Sequence, residues 1–250
     1  MSYLIPYDFR KQIQTDNLNQ VIGSDQSILD AAMLAAQAEC ISYLIQKYDV
    51  AAEFTDITPW SPISTYKVGQ RVVIDFPAYA SATAYGVNDV VINAGKGYVC
   101  IASTTGTFDP TKWAELGAQN AVYYGKMPNP LFNIYGQYKA GDMVYWNGNI
   151  YTCQKPTVNI GHDGLLQGGT YQNAPLPNVF PDDPVNGVTY WGTPTAYVIA
   201  AGTLTTDPTK WVNGDNRDQQ MVLYMIDITL YHVHKRISPR NIPDLRVKAY

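Results

Sequence analysis

From Asp25 to Tyr48, apolar residues recur mainly at spacings of three and four: Ile28, Leu29, Ala32, Leu34, Ala35, Ala38, Ile41, Leu44, Ile45 and Tyr48. That rhythm predicts an amphipathic α-helix with a small, Ala-rich face. Ser24, Asp25 or Ser27 can cap its start by accepting a hydrogen bond from a free backbone N–H, with Asp30 expected in the favourable first turn. A shorter helix is expected from about Pro6 to Leu18. Asn216 to Arg236 is a third candidate, in which Met221, Val222, Leu223, Tyr224, Met225, Ile226, Ile228, Leu230, Tyr231 and Val233 are apolar on most sides. A helix of that kind needs cover all round. His234, Lys235 and Arg236 suit its negative carboxyl end, and Pro239 forbids continuation.

Between these ends, from Ile57 to Asn213, the pattern changes to short alternating runs broken by Gly, Pro, Thr and Tyr, which predicts strands and turns. This segment repeats itself. Gly106-Thr107-Phe108-Asp109-Pro110-Thr111-Lys112-Trp113 returns near Gly202 as a run ending in Asp207-Pro208-Thr209-Lys210-Trp211. A second recurrent element is an aromatic followed by Gly or Asn and an alternating strand, at Tyr66 to Val73, Tyr85 to Val91 and Tyr138 to Tyr145. After the last copy, Asn147-Gly148 is a strong signal for a hairpin turn. The expectation is small β-hairpin modules in tandem, about 60–116 and 135–213, with a long loop from Pro156 to Asn186.

The helical ends are too short to stand apart, but packed together they bury the last helix. The expected fold class is therefore α+β: a small all-α domain of three or four helices from residues 1–56 and 214–250, interrupted by a β-rich insertion over 57–213. The ends of an insertion lie close together, so one surface loop can host it.

Composition narrows the function. Charged residues are 15% of the 250-residue chain and Tyr occurs 20 times, where roughly 25% charge is ordinary for a globular protein. Such a surface suits burial against partners. A net charge of −4 without any basic block argues against sequence-specific nucleic acid as ligand. Cys40, Cys100 and Cys153 are widely spaced with no CxxC, which suggests neither disulfides nor a zinc knuckle and fits synthesis in a reducing cytosol. With no apolar run near 18 residues and no signal-like start, a soluble chain without a membrane partner is expected.

The chain ends resemble the small head-to-tail connector (adaptor) proteins that form rings between portal and tail in tailed bacteriophages. The resemblance lies in Met1 to Phe9, in Ala38 to Asp49, and in Ile226-Asp227-Ile228-Thr229-Leu230-Tyr231-His232-Val233-His234-Lys235-Arg236 followed by Ile237 to Pro243. It implies a virion protein at the head–tail junction, a homo-oligomeric and twelvefold ring, and contacts with the portal and with tail or other connector proteins. Those proteins join their helices directly, whereas here a long segment intervenes. The run Tyr138 to Tyr151 resembles small chitin-binding-type carbohydrate modules, which raises glycan as a further partner and a fibre or spike module as the alternative.

Little reads as catalysis, which needs convergent acids, bases or nucleophiles. Glutamate is confined to Glu39, Glu53 and Glu115, no GxxxxGK or GxGxxG occurs, and His232 and His234 point to different helix sides. His162-Asp163 stands in the Gly-rich loop. No enzyme activity, cofactor or metal is expected. Trp113, Trp146 and Trp211 offer flat faces for pyranose stacking, or serve as packing centres of small β modules. Tyr98, Tyr151 and Tyr197 read as core or cross-strand partners. Tyr224, Met225 and Tyr231 on the last helix are the candidate oligomer interface, with an ordinary core as the other reading.

Overall fold

The computed structural model describes residues 2–48, 50–134, 136–155, 179–200, 202, 204 and 207–237. Pro239, the run from Ser238 to Pro243, His162-Asp163 and most of the expected long loop lie outside the described residues. The fold is mixed α+β. Its helices are α1 (Thr15–Ile22), α2 (Gln26–Leu44), α3 (Val50–Glu53), α4 (Gly187–Trp191) and α5 (Gln219–Ile237). Its strands include β1 (Ile57–Pro59), β2 (Thr65–Tyr66), β3 (Arg71–Val73), β4 (Val90–Asn93), β5 (Lys96–Cys100), β6 (Trp113–Ala118), β7 (Val122–Gly125), β8 (Met143–Trp146), β9 (Asn149–Thr152), β10 (Thr195–Ala196) and β11 (Ile199–Ala200). The chain divides into two compact units, one of Met1–Pro62, Gln70–Tyr124 and Asn213–Tyr250, the other of Ile63–Gly69 and Gly125–Val212.

In the first unit, both chain ends contribute to one helical core. Val222, Met225, Ile226, Leu230 and Val233 of α5 are fully buried. They belong to one cluster with Leu29, Met33 and Cys40 of α2, Leu18 and Ile22 of α1, and Tyr3, Leu4 and Phe9. Each such side chain contributes roughly 1.5–3 kcal/mol on burial. The buried face of α2 is Leu29, Ala32, Met33, Ala36 and Cys40, a narrower stripe than expected: Leu34, Ala35 and Ala38 are exposed.

Local chemistry sets the helix limits. Asp25 is the cap of α2, accepting from Ser27 N–H at 3.0 Å. Because the helix starts at Gln26, Asp30 falls beyond the first turn and instead accepts from Gln26 Nε2 at 3.0 Å. Gly23, at φ 61°, closes α1 in the left-handed region that glycine tolerates. The helix expected from Pro6 to Leu18 is two elements: a 3₁₀ turn over Pro6–Lys11, then α1. Asp8 caps the start of the first, its carboxylate accepting from Ile5 N–H at 2.8 Å, and Gln12, at φ −133° and ψ −20°, ends it.

Beside this core, β1 runs parallel to β3 and β3 antiparallel to β7. Ile5, Ile57, Val73 and Val122 pack together over these strands. Between β3 and β7 the chain builds the antiparallel sheet β4-β5-β6. It leaves and returns through a narrow neck, where Ile74 N–H donates to Ala121 O at 3.0 Å and Asn120 N–H to Ile74 O at 2.8 Å. This module is thus enclosed by a hairpin and does not simply follow it in tandem.

The second unit contains the sheet β10-β9-β8 and the antiparallel pair β2 and β11. Phe132, Val144, Tyr151, Cys153 and Trp191 form its aromatic cluster. The two β modules match at a constant offset of 53 residues, from 85 to 138. Tyr85 Oη accepts from Ala80 N–H at 2.8 Å, and Tyr138 Oη from Asn133 N–H at 2.7 Å. Asp89 and Asp142 each accept from the backbone N–H three residues earlier at 2.7 Å. Cys100 and Cys153 each donate their thiol to the carbonyl two residues on, at 3.2 and 3.0 Å. The β4–β5 turn at Ala94-Gly95 (φ 48° and 75°) matches the β8–β9 turn at Asn147-Gly148 (φ 45° and 83°).

Candidate functional site

The Asp-Pro-Thr-Lys-Trp repeat has a plain local cause. Asp109 accepts from Thr111 N–H at 3.0 Å and from its hydroxyl at 2.7 Å. Asp207 takes Thr209 in the same way, by its N–H at 2.9 Å and by its hydroxyl. These hydrogen bonds, first of all the threonine hydroxyl's, hold both carboxyls below their ordinary range. The turn so formed delivers Trp113 and Trp211 inward, each only 4% exposed.

The three candidate tryptophans sit in separate clusters. Trp113 is enclosed by Tyr79, Tyr85 and Phe108 in the first unit. In the second, Trp211 packs edge-on to Tyr66 at 5.2 Å, and the partner of Tyr138 is Trp191 at 5.0 Å. Trp191, at the end of α4, centres the Tyr138 module. Trp146 is half-buried, 5.5 Å from Phe180, which is 43% exposed. Tyr151 and Tyr197 are buried, and Tyr98 packs against the Trp113 cluster.

On α5 the three candidate interface residues separate by side. Met225 is fully buried in the helical core, while Tyr224 is 52% exposed. Tyr231 is half-buried beside His232, its ring under the Lys235 ammonium at 5.9 Å. The sequence reading missed the facing wall at the end of α2: the helix expected to run to Tyr48 stops at Leu44, and Tyr43 on its last turn with Ile45 and Tyr48 just beyond it are exposed. The available signal was the run Tyr43-Leu44-Ile45: successive residues turn about 100° apart, so three in a row exceed one buried face.

Between these walls runs an apolar groove. One hollow of about 550 Å³ is lined by Leu44, Tyr48, Val50, Phe54 and Met221, with the carboxylates of Glu53 and Asp218 beside them. The adjoining hollow of about 470 Å³ shares Leu44 and Met221 and extends to Tyr43, Tyr224 and Ile228. Among the described residues no cationic side chain lines either hollow. Glu39 meets His232 at 3.0 Å at the far end. Cys40 lines the floor, its thiol pushed up to about 11, chiefly by burial.

A charged cluster anchors the unit's interior. Arg217 donates to Asp8 at 2.8 and 2.9 Å, to Asp215 at 2.7 and 2.8 Å, and to Tyr3 O at 2.7 Å. The Tyr3 ring lies 5.6 Å from the Arg217 guanidinium and 5.7 Å from that of Arg71. Burial pushes Tyr3 up to about 12. Burial also acts to raise Asp215, but hydrogen bonds and charge from Arg217 bring it down to about 2.

Among the described residues no group of three His, Cys, Asp or Glu side chains is placed to hold a metal ion, and no helix is long and apolar enough to cross a membrane. No protein-family model matches the chain, and a search of curated proteins finds no match.

Proposed function

We propose that the chain is a structural virion protein whose helical core closes into a ring joining the capsid portal to the tail, with the β modules adding contacts to other virion proteins. The observation that carries this reading is the groove and its rim: Tyr43, Tyr48 and Tyr224 are each more than half exposed beside a core that α2 and α5 already complete on their other faces. Contiguous exposed apolar surface marks sites of association, and Tyr is enriched where partners dock. In a ring built head to tail, one patch meets a different patch on the next copy, so each copy uses two surfaces. By its resemblance to phage connectors the ring is twelvefold.

The test is the native mass of the purified protein, alone and mixed with portal. A closed oligomer, formed alone or on the portal, is the expected result. A stable monomer with no affinity for portal would remove the reading.

A second reading, a carbohydrate-binding module of a fibre or spike, draws on the partly exposed Trp146–Phe180 pair. It requires the full chain to be retained on chitin and released by Phe180→Ala. Passage through chitin without delay would discard it.

A further inference from the structure

We propose that the apolar groove between α2 and α5 receives residues 238–250 of a second copy of this chain. This rests on the reading that copies of the chain assemble, and it names the contact. The groove has a floor of Leu44, Phe54 and Met221 and walls that carry Tyr48 and Tyr224. Two exposed carboxylates, Glu53 and Asp218, stand in its lining, and among the described residues no cation lines it. An occupant of complementary chemistry is apolar and basic.

The segment 238–250 has that chemistry. Ile242, Leu245, Val247 and Tyr250 alternate with Arg240, Arg246 and Lys248, against the single carboxylate of Asp244. Apolar side chains that alternate with cations can fill a groove while the charges meet its acidic edge.

Reach favours a neighbouring copy. Met221 lies 16 residues before Ile237, the last residue of α5, so about 24 Å of helix separates the groove from that end. Returning to its own groove would use, as fully extended chain, about seven of the residues of this segment. A neighbour's groove imposes no such return. The contact is directional, segment of one copy to groove of the next, which is the geometry a closed ring needs.

The experiment uses the full chain with Tyr224→p-benzoylphenylalanine, mixed from isotopically heavy and light preparations and irradiated after assembly. The expected product joins position 224 of one isotope to a peptide within 238–250 of the other. Its yield falls tenfold or more with Arg246→Glu plus Lys248→Glu, and recovers when the groove carries Glu53→Lys. Raised salt lowers it. Asp218 is left in place because its side chain accepts from Gln220 and Met221 N–H at 2.8 and 2.9 Å and caps α5. The same probe at Tyr48, on the other wall, gives an independent reading. If assemblies form but cross-link elsewhere, or only within single isotopes, the groove assignment is overturned and the ring stands. If nothing assembles, alone or with portal, the ring reading falls and the assignment with it.

Discussion

Arg217 and Asp8, 209 residues apart, meet in a buried two-pronged ion pair, Nη1 to Oδ2 at 2.8 Å and Nη2 to Oδ1 at 2.9 Å. Their side chains are 1% and 3% exposed. Removing Arg217 leaves the buried Asp8 carboxylate with the Ile5 N–H and a 3.5 Å contact to Lys11 in place of its two-pronged partner, and breaking a buried pair in this way costs up to roughly 3–5 kcal/mol. Arg217→Ala should therefore lower the urea midpoint by that equivalent, and the far smaller change expected of the exposed pair Lys96→Ala is the control. Equal effects of the two substitutions would show that the buried pair is not a fastening point.

The same cluster sets the pH limits of stability. Asp215 is ordinarily at 3.8 and is held at about 2 when folded, so its stabilising contribution is complete above 3.8 and is lost as pH falls toward 2. Tyr3 is raised from 10.0 to about 12, so its contribution is complete below 10 and is lost as pH climbs toward 12. Urea midpoints measured across pH should drop in both windows. Asp215→Asn should flatten the acid limb, and Tyr3→Phe the alkaline one. Limbs unchanged by either substitution would clear both residues of the role.

The matched turns allow an exchange between modules. Ala94 and Asn147 both sit at positive φ, 48° and 45°, in front of Gly95 and Gly148. Asn adopts that region more readily than Ala. Ala94→Asn should raise stability by about 0.5–1 kcal/mol, while Asn147→Ala should lower it by a similar amount. Thermal melting of the two variants checks both signs.

Cys40, Cys100 and Cys153 are all buried and unpaired by disulfides. Burial raises Cys40 to about 11, and it raises Cys153 as well. A thiolate is the reactive species, so the native protein should resist alkylation at pH 8 and all three thiols should react in denaturant. Rapid modification of Cys40 in the native state would show the α2–α5 seam opening.

Much of the helical framework was legible because it depends on local rules: a 3.6-residue rhythm in α2 and α5, and Asp25 as a cap. The Asn147-Gly148 hairpin was legible for the same reason. What sequence could not supply was pairing between distant residues. Asp8 looked like part of a helix, yet its partner is Arg217, and that long-range pair shapes the Pro6–Lys11 turn. The repeated Asp-Pro-Thr-Lys-Trp marked two like turns, but a turn motif fixes only its own shape and not which aromatic its Trp meets: Tyr66 for Trp211, Tyr79 and Tyr85 for Trp113. Of the candidate site, Tyr224 was read and the α2 wall was not, because periodicity shows which residues are apolar and leaves open which of them find cover.

The joining of both chain ends in one core has a consequence for how the protein comes into being. On the ribosome, α1 and α2 emerge early with Leu29, Met33 and Cys40 still lacking the α5 side chains that cover them. At about 5–20 residues per second, the 193 residues from Leu44 at the end of α2 to Ile237 at the end of α5 take on the order of ten seconds or more to appear. The β modules, whose hairpins pair near neighbours in sequence, can close in that interval. The first part of the chain to be made is thus among the last to be finished, and a nascent chain stalled before Gln219 would leave an uncovered helical face for chaperones to hold.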